Sequence, residues 1–150
     1  MENIFLAETS EKLISRINKL TPTTQSLWGK MNAPQMLAHL NVAYEMAFED
    51  KHQKPNAFMR LILKLFVKDT VCGDKPYKKN GQTAPAFLIT TPRDFETEKS
   101  RLIGYLIKSV ELGPAYFDGK ESLSFGKLTV AEWNVMFNKH LEHHLTQFGV

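Results

Sequence analysis

The stretch Thr129–Phe148, TVAEWNVMFNKHLEHHLTQF, decides the reading of the whole chain. It opens on Thr129-Val-Ala-Glu132, a capping box in which the threonine and the glutamate satisfy each other's orphan backbone N–H groups, so a helix starts here. Three of the five histidines fall between residues 140 and 144. With ~100° of rotation per residue and His140 at zero, His144 lies at ~40°, Trp133 at ~20°, Met136 at ~−40°, Phe137 at ~60° and Gln147 at ~−20°. His140 and His144 therefore point with the large apolar residues, toward a core. Two imidazoles one turn apart on a buried face are costly unless their nitrogens are satisfied. A divalent cation does so, because i,i+4 spacing brings two nitrogens within reach of one ion, and such an ion needs at least a third ligand.

The second helix supplies it. Asn32-Ala-Pro-Gln35 is a helix start, with an asparagine cap, a proline in the first turn and a glutamine able to reach back. The helix runs to about Phe48. With His39 at zero, Met36 lies at ~60°, Ala43 at ~40°, Met46 at ~−20° and Gln35 at ~−40°, so His39 is on an inward stripe. Three neutral imidazoles suit zinc, nickel, copper or iron. They leave a coordination position open, the mark of a catalytic rather than a structural site. The bland alternatives are a core histidine bonded to a backbone carbonyl for His39, and an H-x-x-x-H pair on a wet helix face for His140 and His144.

The other polar residues carry less. His143 falls ~60° to the other side of His140, so it sits behind the ligands, at an interface or in solvent. Gln147 shares the histidine stripe and either orients a ligand or a bound water, or packs. Asn41 and Glu45 lie at roughly −160° and −120° from His39 and point away from it. His52 is in a polar loop and is read as solvated. Cys72 is in a loop with nothing nearby to make it a nucleophile. No catalytic base is assigned.

Elsewhere, Leu13, Ile14, Ile17 and Leu20 mark a first helix with its body over 11–20, ended by Thr21-Pro22. Trp28 is an anchor in the connection that follows. Residues 57–67, AFMRLILKLFV, read as a short buried helix with Arg60 and Lys64 as a thin basic stripe. A lid, a dimer contact or a membrane-surface contact are its alternatives. Residues 68–90 read as a long loop. Thr91-Pro92-Arg93-Asp94 starts the next helix with Thr91 as cap. Phe95, Leu102, Ile103, Leu106, Ile107 and Val110 form its core face, and Gly113-Pro114 stops it. Residues 115–128 read as irregular. The sum is an all-α helix bundle of four main helices and one short one.

Composition sets the class. With 150 residues, 43% hydrophobic and 23% charged, the chain is expected to be one soluble domain able to bury a core unaided. The net charge of +3 is spread along the chain without a dense basic run, which argues against nucleic acid. No apolar run reaches the ~18 residues of a membrane span. The N-terminus, MENIFLAETSEK, does not read as a signal peptide, and the single Cys72 fits a reducing compartment. A cytoplasmic location is expected.

The blocks WGKMNAPQMLAHL and SFGKLTVAEWNVMFNKHLEHHLTQFGV, with Gly113-Pro114 between them, resemble the domain-of-unknown-function 1569 family of the DinB/YfiT-like superfamily of metalloenzymes. The similarity spans nearly the whole chain. It implies an up-down-down-up four-helix bundle, often dimeric, with one histidine on the second helix and an i,i+4 pair on the last as metal ligands. These carry over to His39, His140 and His144. It further implies zinc or nickel as the metal, and a small-molecule substrate such as a low-molecular-weight thiol, as in transferases and isomerases of the superfamily. Where relatives place a histidine shortly before the FG of the loop ahead of the last helix, this chain has Ser122-Leu-Ser124. Two readings follow. One is a metal-dependent enzyme activating a thiol or water for transfer to, or hydrolysis of, a small substrate. The other is a metal- or small-molecule-binding protein of stress response without turnover. A protein whose imidazoles pair only through waters is a third.

Overall fold

The computed structural model describes residues 2–150. Among them the helices are α1 (Ala7–Asn18), α2 (Ala33–Phe48), α3 (Ala57–Phe66), α4 (Lys68–Cys72), α5 (Phe95–Phe117) and α6 (Val130–Gln147). A 3₁₀ turn, Pro85–Phe87, lies between α4 and α5. A two-residue antiparallel hairpin, Glu121–Ser122 with Gly126–Lys127, lies between α5 and α6. The chain is therefore all-α but for that hairpin. No helix of the described residues is long and apolar enough to cross a membrane.

The helix starts at α2 and α6 follow from their caps. Asn32 accepts from the N–H of Gln35 at 2.9 Å while the Gln35 side chain accepts from the Asn32 N–H at 3.2 Å. Thr129 and Glu132 repeat that reciprocity. Each such cap stabilises its helix by about 1 kcal/mol. In α5 the start is shifted from the expected one. Asp94, not Thr91, caps the helix, accepting from the Thr97 N–H at 2.9 Å. Pro92 lies ahead of the helix and does not open its first turn. Gly113 takes φ +69° and breaks α5 before one last turn, residues 114–117. With ψ at 174° this is an extended, positive-φ conformation open in practice to glycine alone.

α1, α2, α5 and α6 pack against one another around a single apolar cluster. Trp133, Phe137, Leu141 and Leu145 give the buried stripe of α6, at i, i+4, i+8 and i+12. They meet Leu37, Leu40 and Tyr44 of α2, Leu102 and Leu106 of α5, and Leu13 and Ile17 of α1. Tyr44 stacks on Phe137 with ring centroids 4.4 Å apart and planes within 7°. Each of these side chains contributes about 1.5–3 kcal/mol by burial. The core face of α5 is rotated from the expected one: Tyr105 and Ser109 are buried, whereas Ile107 is 46% exposed.

Three loop expectations are corrected. Residues 68–90 contain α4, which packs on α6, and the 3₁₀ turn, which packs on α2 and sets Phe87 against His39 and His140. Residues 118–128 contain the hairpin. α3 is not a buried helix: none of its residues is buried, and only Leu63 and Val67 lean on the core. Helical periodicity shows that an apolar face exists but not what covers it.

Candidate metal centre

α2 presents His39 and α6 presents His140 and His144 to one point between the helices. One ligand nitrogen from each can be chosen so that all three lie within 4.8 Å of one another. His39 and His144 are buried and His140 is partly exposed. The rings meet edge to face, with centroid separations of 4.8 Å for His39 and His140, 4.6 Å for His39 and His144, and 4.9 Å for the α6 pair. All three residues singled out by sequence therefore converge. Among the described residues, no carboxylate or thiol joins the set.

The outward nitrogens fix the tautomers of two rings. The Nδ1–H of His39 donates to the backbone carbonyl of Phe87 at 2.8 Å, which leaves Nε2 as the lone-pair nitrogen. The Nδ1–H of His144 donates to Gln147 Oε1 at 2.7 Å, and Gln147 Nε2 donates to the Trp28 carbonyl at 2.6 Å. Nε2 of His144 is thereby the free base as well. This is how ligand imidazoles are held in metalloproteins, with the far nitrogen tied to an oxygen. His140 Nε2 lies 2.8 Å from His39 Nε2 and donates to it. Two ligand nitrogens sharing one ion at ~2.0–2.1 Å stand about 3.3 Å apart, so a shift of about half an ångström, with the His140 proton moved from Nε2 to Nδ1, would admit a cation.

Electrostatics favour the neutral imidazole that a metal requires. Burial holds His39 below the ordinary histidine range, partly offset by the Phe87 carbonyl. Burial, then the neighbouring imidazoles His39 and His144, push His140 well down. Burial and His39 bring His144 down to about 3, against the opposing bond from Gln147. A protonated trio would place three positive charges in contact, while three neutral rings offer three lone pairs to one ion. The donor set fits a borderline ion such as zinc or nickel.

Residues outside the trio divide as follows. His143 is half-buried beside the site, edge-on to Tyr77 at 5.6 Å and to Trp28 at 5.9 Å, with its ring 4.9 Å from that of His144. It belongs to a groove of about 320 Å³ also lined by Trp28, Tyr77, Lys79, Lys139 and Thr146. Lys139 is buried, and its Nζ donates to the carbonyls of Thr70, Gly73 and Lys75, which ties the end of α4 to α6. Lys79 lies over the Trp28 indole at 4.3 Å. Cys72 is buried, which pushes its thiol up to about 11, so it is no nucleophile. His52 is not solvated as expected: its Nε2 lies 2.8 Å from Glu45 Oε2 and it is mostly buried. Asn41 and Glu45 do point away from the trio, into a polar network with α5.

Phe87, Trp28, Tyr77 and Lys139 were not legible as parts of the site. Phe87 and Trp28 act through backbone carbonyls, which no side-chain pattern announces. Gly29 does leave a trace: it has φ +85°, and a Cβ there would collide with Gln147 Nε2. A glycine after the tryptophan is what lets the chain come close enough for Gln147 to reach the Trp28 carbonyl.

Comparison with curated proteins and with solved structures gives no match. The sequence profile of a protein family of unknown function, DUF1569, matches residues 6–149. With the match running over all six helices and the three converging histidines, the chain belongs to the DUF1569 family.

Proposed function

We propose that His39, His140 and His144 hold one divalent cation, zinc or nickel, and that the protein is a metal-dependent enzyme of the DinB/YfiT-like superfamily acting on a small molecule, a low-molecular-weight thiol being the favoured co-substrate. The four long helices, α1, α2, α5 and α6, are then the up-down-down-up bundle of that superfamily. The observation that carries the reading is the pair of far-side restraints. Phe87 O on His39 and Gln147 Oε1 on His144 leave both Nε2 lone pairs facing the same point as His140.

When bound, a cation with three imidazole ligands and an open position supplies a Lewis acid that lowers the pKa of a thiol or water. The chain supplies the rest. Its histidines enter neutral, so loading does not first require costly deprotonation at neutral pH. The partly exposed His140 marks the open side, where Phe87 and Tyr77 stand edge-on to its ring at 5.7 and 6.4 Å. The adjoining groove presents the indole of Trp28 and the ammonium of Lys79 beside His143, with the carboxylates of Asp74 and Glu142 also on its wall, surfaces suited to a small molecule with an apolar body and polar groups of both signs. Lys139, the other cation lining the groove, is committed to the carbonyls of Thr70, Gly73 and Lys75.

The test is elemental analysis of untagged protein purified without added metal, followed by turnover with and without metal across a panel of thiol-transfer and hydrolysis substrates. A near-stoichiometric cation that is lost in His39→Ala, together with metal-dependent turnover, is expected. Bound metal without turnover on any substrate would leave the binding protein. Full turnover by metal-free His39→Ala would remove the trio from the chemistry.

A further inference from the structure

α3 is assembled the wrong way round for a helix serving only its own core. With Phe58 at zero, Leu65 lies at ~−20°, Ile62 at ~40°, Leu61 at ~−60°, Phe66 at ~80° and Met59 at ~100°, one continuous apolar arc. That arc faces solvent. Phe58 and Phe66 are 72% and 76% exposed, and Leu61, Leu65 and Met59 range from 45% to 64%. The opposite side holds the helix down through Leu63, Val67 and Arg60, whose guanidinium reaches Glu121 Oε1 at 2.6 Å. Taking about 200 Å² for a fully exposed large side chain, the five exposed residues offer on the order of 600 Å² of apolar surface. This is the upper end for the largest patch on a monomer. It is also most of the ~800 Å² that each partner gives to a standard stable interface.

The sequence of the helix indicates what covers it. Residues 58–66, FMRLILKLF, read the same in chemical class from either end: Phe58 with Phe66, Met59 with Leu65, Arg60 with Lys64, Leu61 with Leu63, about Ile62. In an antiparallel pair of identical helices, a two-fold axis through residue 62 sets each residue against the one equally far on the other side. The class palindrome then lays Phe58 on Phe66 and Met59 on Leu65 about Ile62 along the ~15 Å of the helix, while Leu63, turned to the core, stays out of the seam. The two basic positions do not oppose each other across the seam, since Arg60 and Lys64 lie at ~−160° and ~−120°, on the flank turned to the protein. We propose that this face is where a second copy of the chain docks, α3 against α3, as an isologous dimer with Phe58 of one copy on Phe66 of the other. α3 runs through Val67 into α4, whose far end Lys139 ties to the helix bearing His140, so the contact would also steady the cover of the metal centre.

Sedimentation equilibrium of the full chain at about 1–100 μM, the range that reports micromolar affinity, tests this. The expected result is twice the chain mass for the protein itself and the chain mass for Phe58→Lys and for Phe66→Glu. Both positions are exposed, so unchanged circular dichroism and melting of the variants in their monomeric form are expected. An equimolar mixture of the two variants should recover the dimer mass, because one lysine then meets one glutamate and one aromatic pair is kept. The proposal is overturned by a monomer throughout, by a dimer that survives both substitutions, or by a mixture that stays monomeric. A monomer that floats with phosphatidylglycerol vesicles, and ceases to do so as Phe66→Glu, would assign the face to a lipid surface instead.

Discussion

The backbone carbonyl of Phe87 accepts the Nδ1–H of His39 at 2.8 Å across 48 residues of sequence, so a loop turn and a helix meet on a single imidazole. A cation on Nε2 would grip the ring from the other side. Binding at one nitrogen and order at the other are then linked, and linkage is reciprocal. Zinc or nickel is expected to slow amide exchange at Phe87 and Leu88, whose N–H groups close the 3₁₀ turn on Ala84 and Pro85. His39→Ala should abolish that protection while leaving exchange in α1 as it was. Exchange followed by mass spectrometry or NMR, with and without metal, reads both. Equal protection in the variant would detach the turn from the site.

Gln147 links Trp28 to His144, and its removal has a predictable signature. Gln147→Leu keeps the volume and removes both hydrogen bonds. The His144 Nδ1–H and the Trp28 carbonyl lose their partners, at about 1–3 kcal/mol of stability. The ring is also free to turn, and loss of such a support costs about 10–100-fold in metal affinity. Gly29→Ala should act in the same direction, since its methyl displaces the Gln147 amide and its backbone is held at φ +85°. Competition titration against a chromophoric chelator measures the affinity. An unchanged affinity in both variants would show that Gln147 only packs.

The histidine trio makes the metal-free protein acid-sensitive in a defined window. His39, His140 and His144 all titrate below the ordinary value of 6.5 in the folded state, His144 at about 3. The unfolded chain therefore takes up protons first. Stability is complete above about pH 6.5 and falls as pH drops toward the folded values, by about 1.4 kcal/mol per pH unit for each ring that stays neutral. Urea unfolding of metal-free protein at pH 7.5, 6.5 and 5.5 should show a falling midpoint. Replacing the three histidines by glutamine should flatten that fall, which no carboxylate explains because the window lies above their usual range. Bound metal deepens the dependence, since protons compete with it for the same nitrogens.

Much of the site was readable because its spacing is helical. His140 and His144 share a face by arithmetic alone, and the Asn32 and Thr129 capping boxes fix where both helices begin, so the wheel angles hold in three dimensions. What could not be read had other causes. The oxygen on His39 belongs to a backbone group in a segment without periodicity. Lys139 is a lysine on a helix, yet it is buried against three carbonyls in and just after α4. α3 has the strongest apolar face of the short elements, and periodicity assigned that face to the core although it lies on the outside. Asn41 and Glu45 do point away from the histidine trio, but polar residues turned from one site are not thereby in water.

Those two residues anchor the last prediction. Asn41 Nδ2 donates to Glu98 Oε2 at 2.8 Å and to the Glu98 carbonyl at 3.0 Å. Arg101 joins Glu98 at 2.8 Å and also Glu45, while Glu45 Oε2 pairs with His52. Burial pushes the Glu45 carboxyl up, but Arg101, His52 and Lys51 together bring it down to about 2. The folded value lies below the unfolded one, so this network stabilises the protein above about pH 4.5 and ceases to do so as pH falls through 2. Arg101→Leu strands two mostly buried carboxylates on the seam between α2 and α5. A fully buried pair broken in this way costs about 3–5 kcal/mol, and the partial exposure of Arg101 reduces this to about 2–4 kcal/mol at pH 7. The deficit should shrink between pH 7 and pH 4 as Glu45, having lost Arg101 though not Lys51 and His52, takes up a proton more readily. Glu45→Gln in the Arg101→Leu background should recover part of it at pH 7. Urea unfolding of the four proteins of that cycle, at both pH values, measures the coupling. A deficit independent of pH would show that Arg101 acts by packing its alkyl stem, not by its charge.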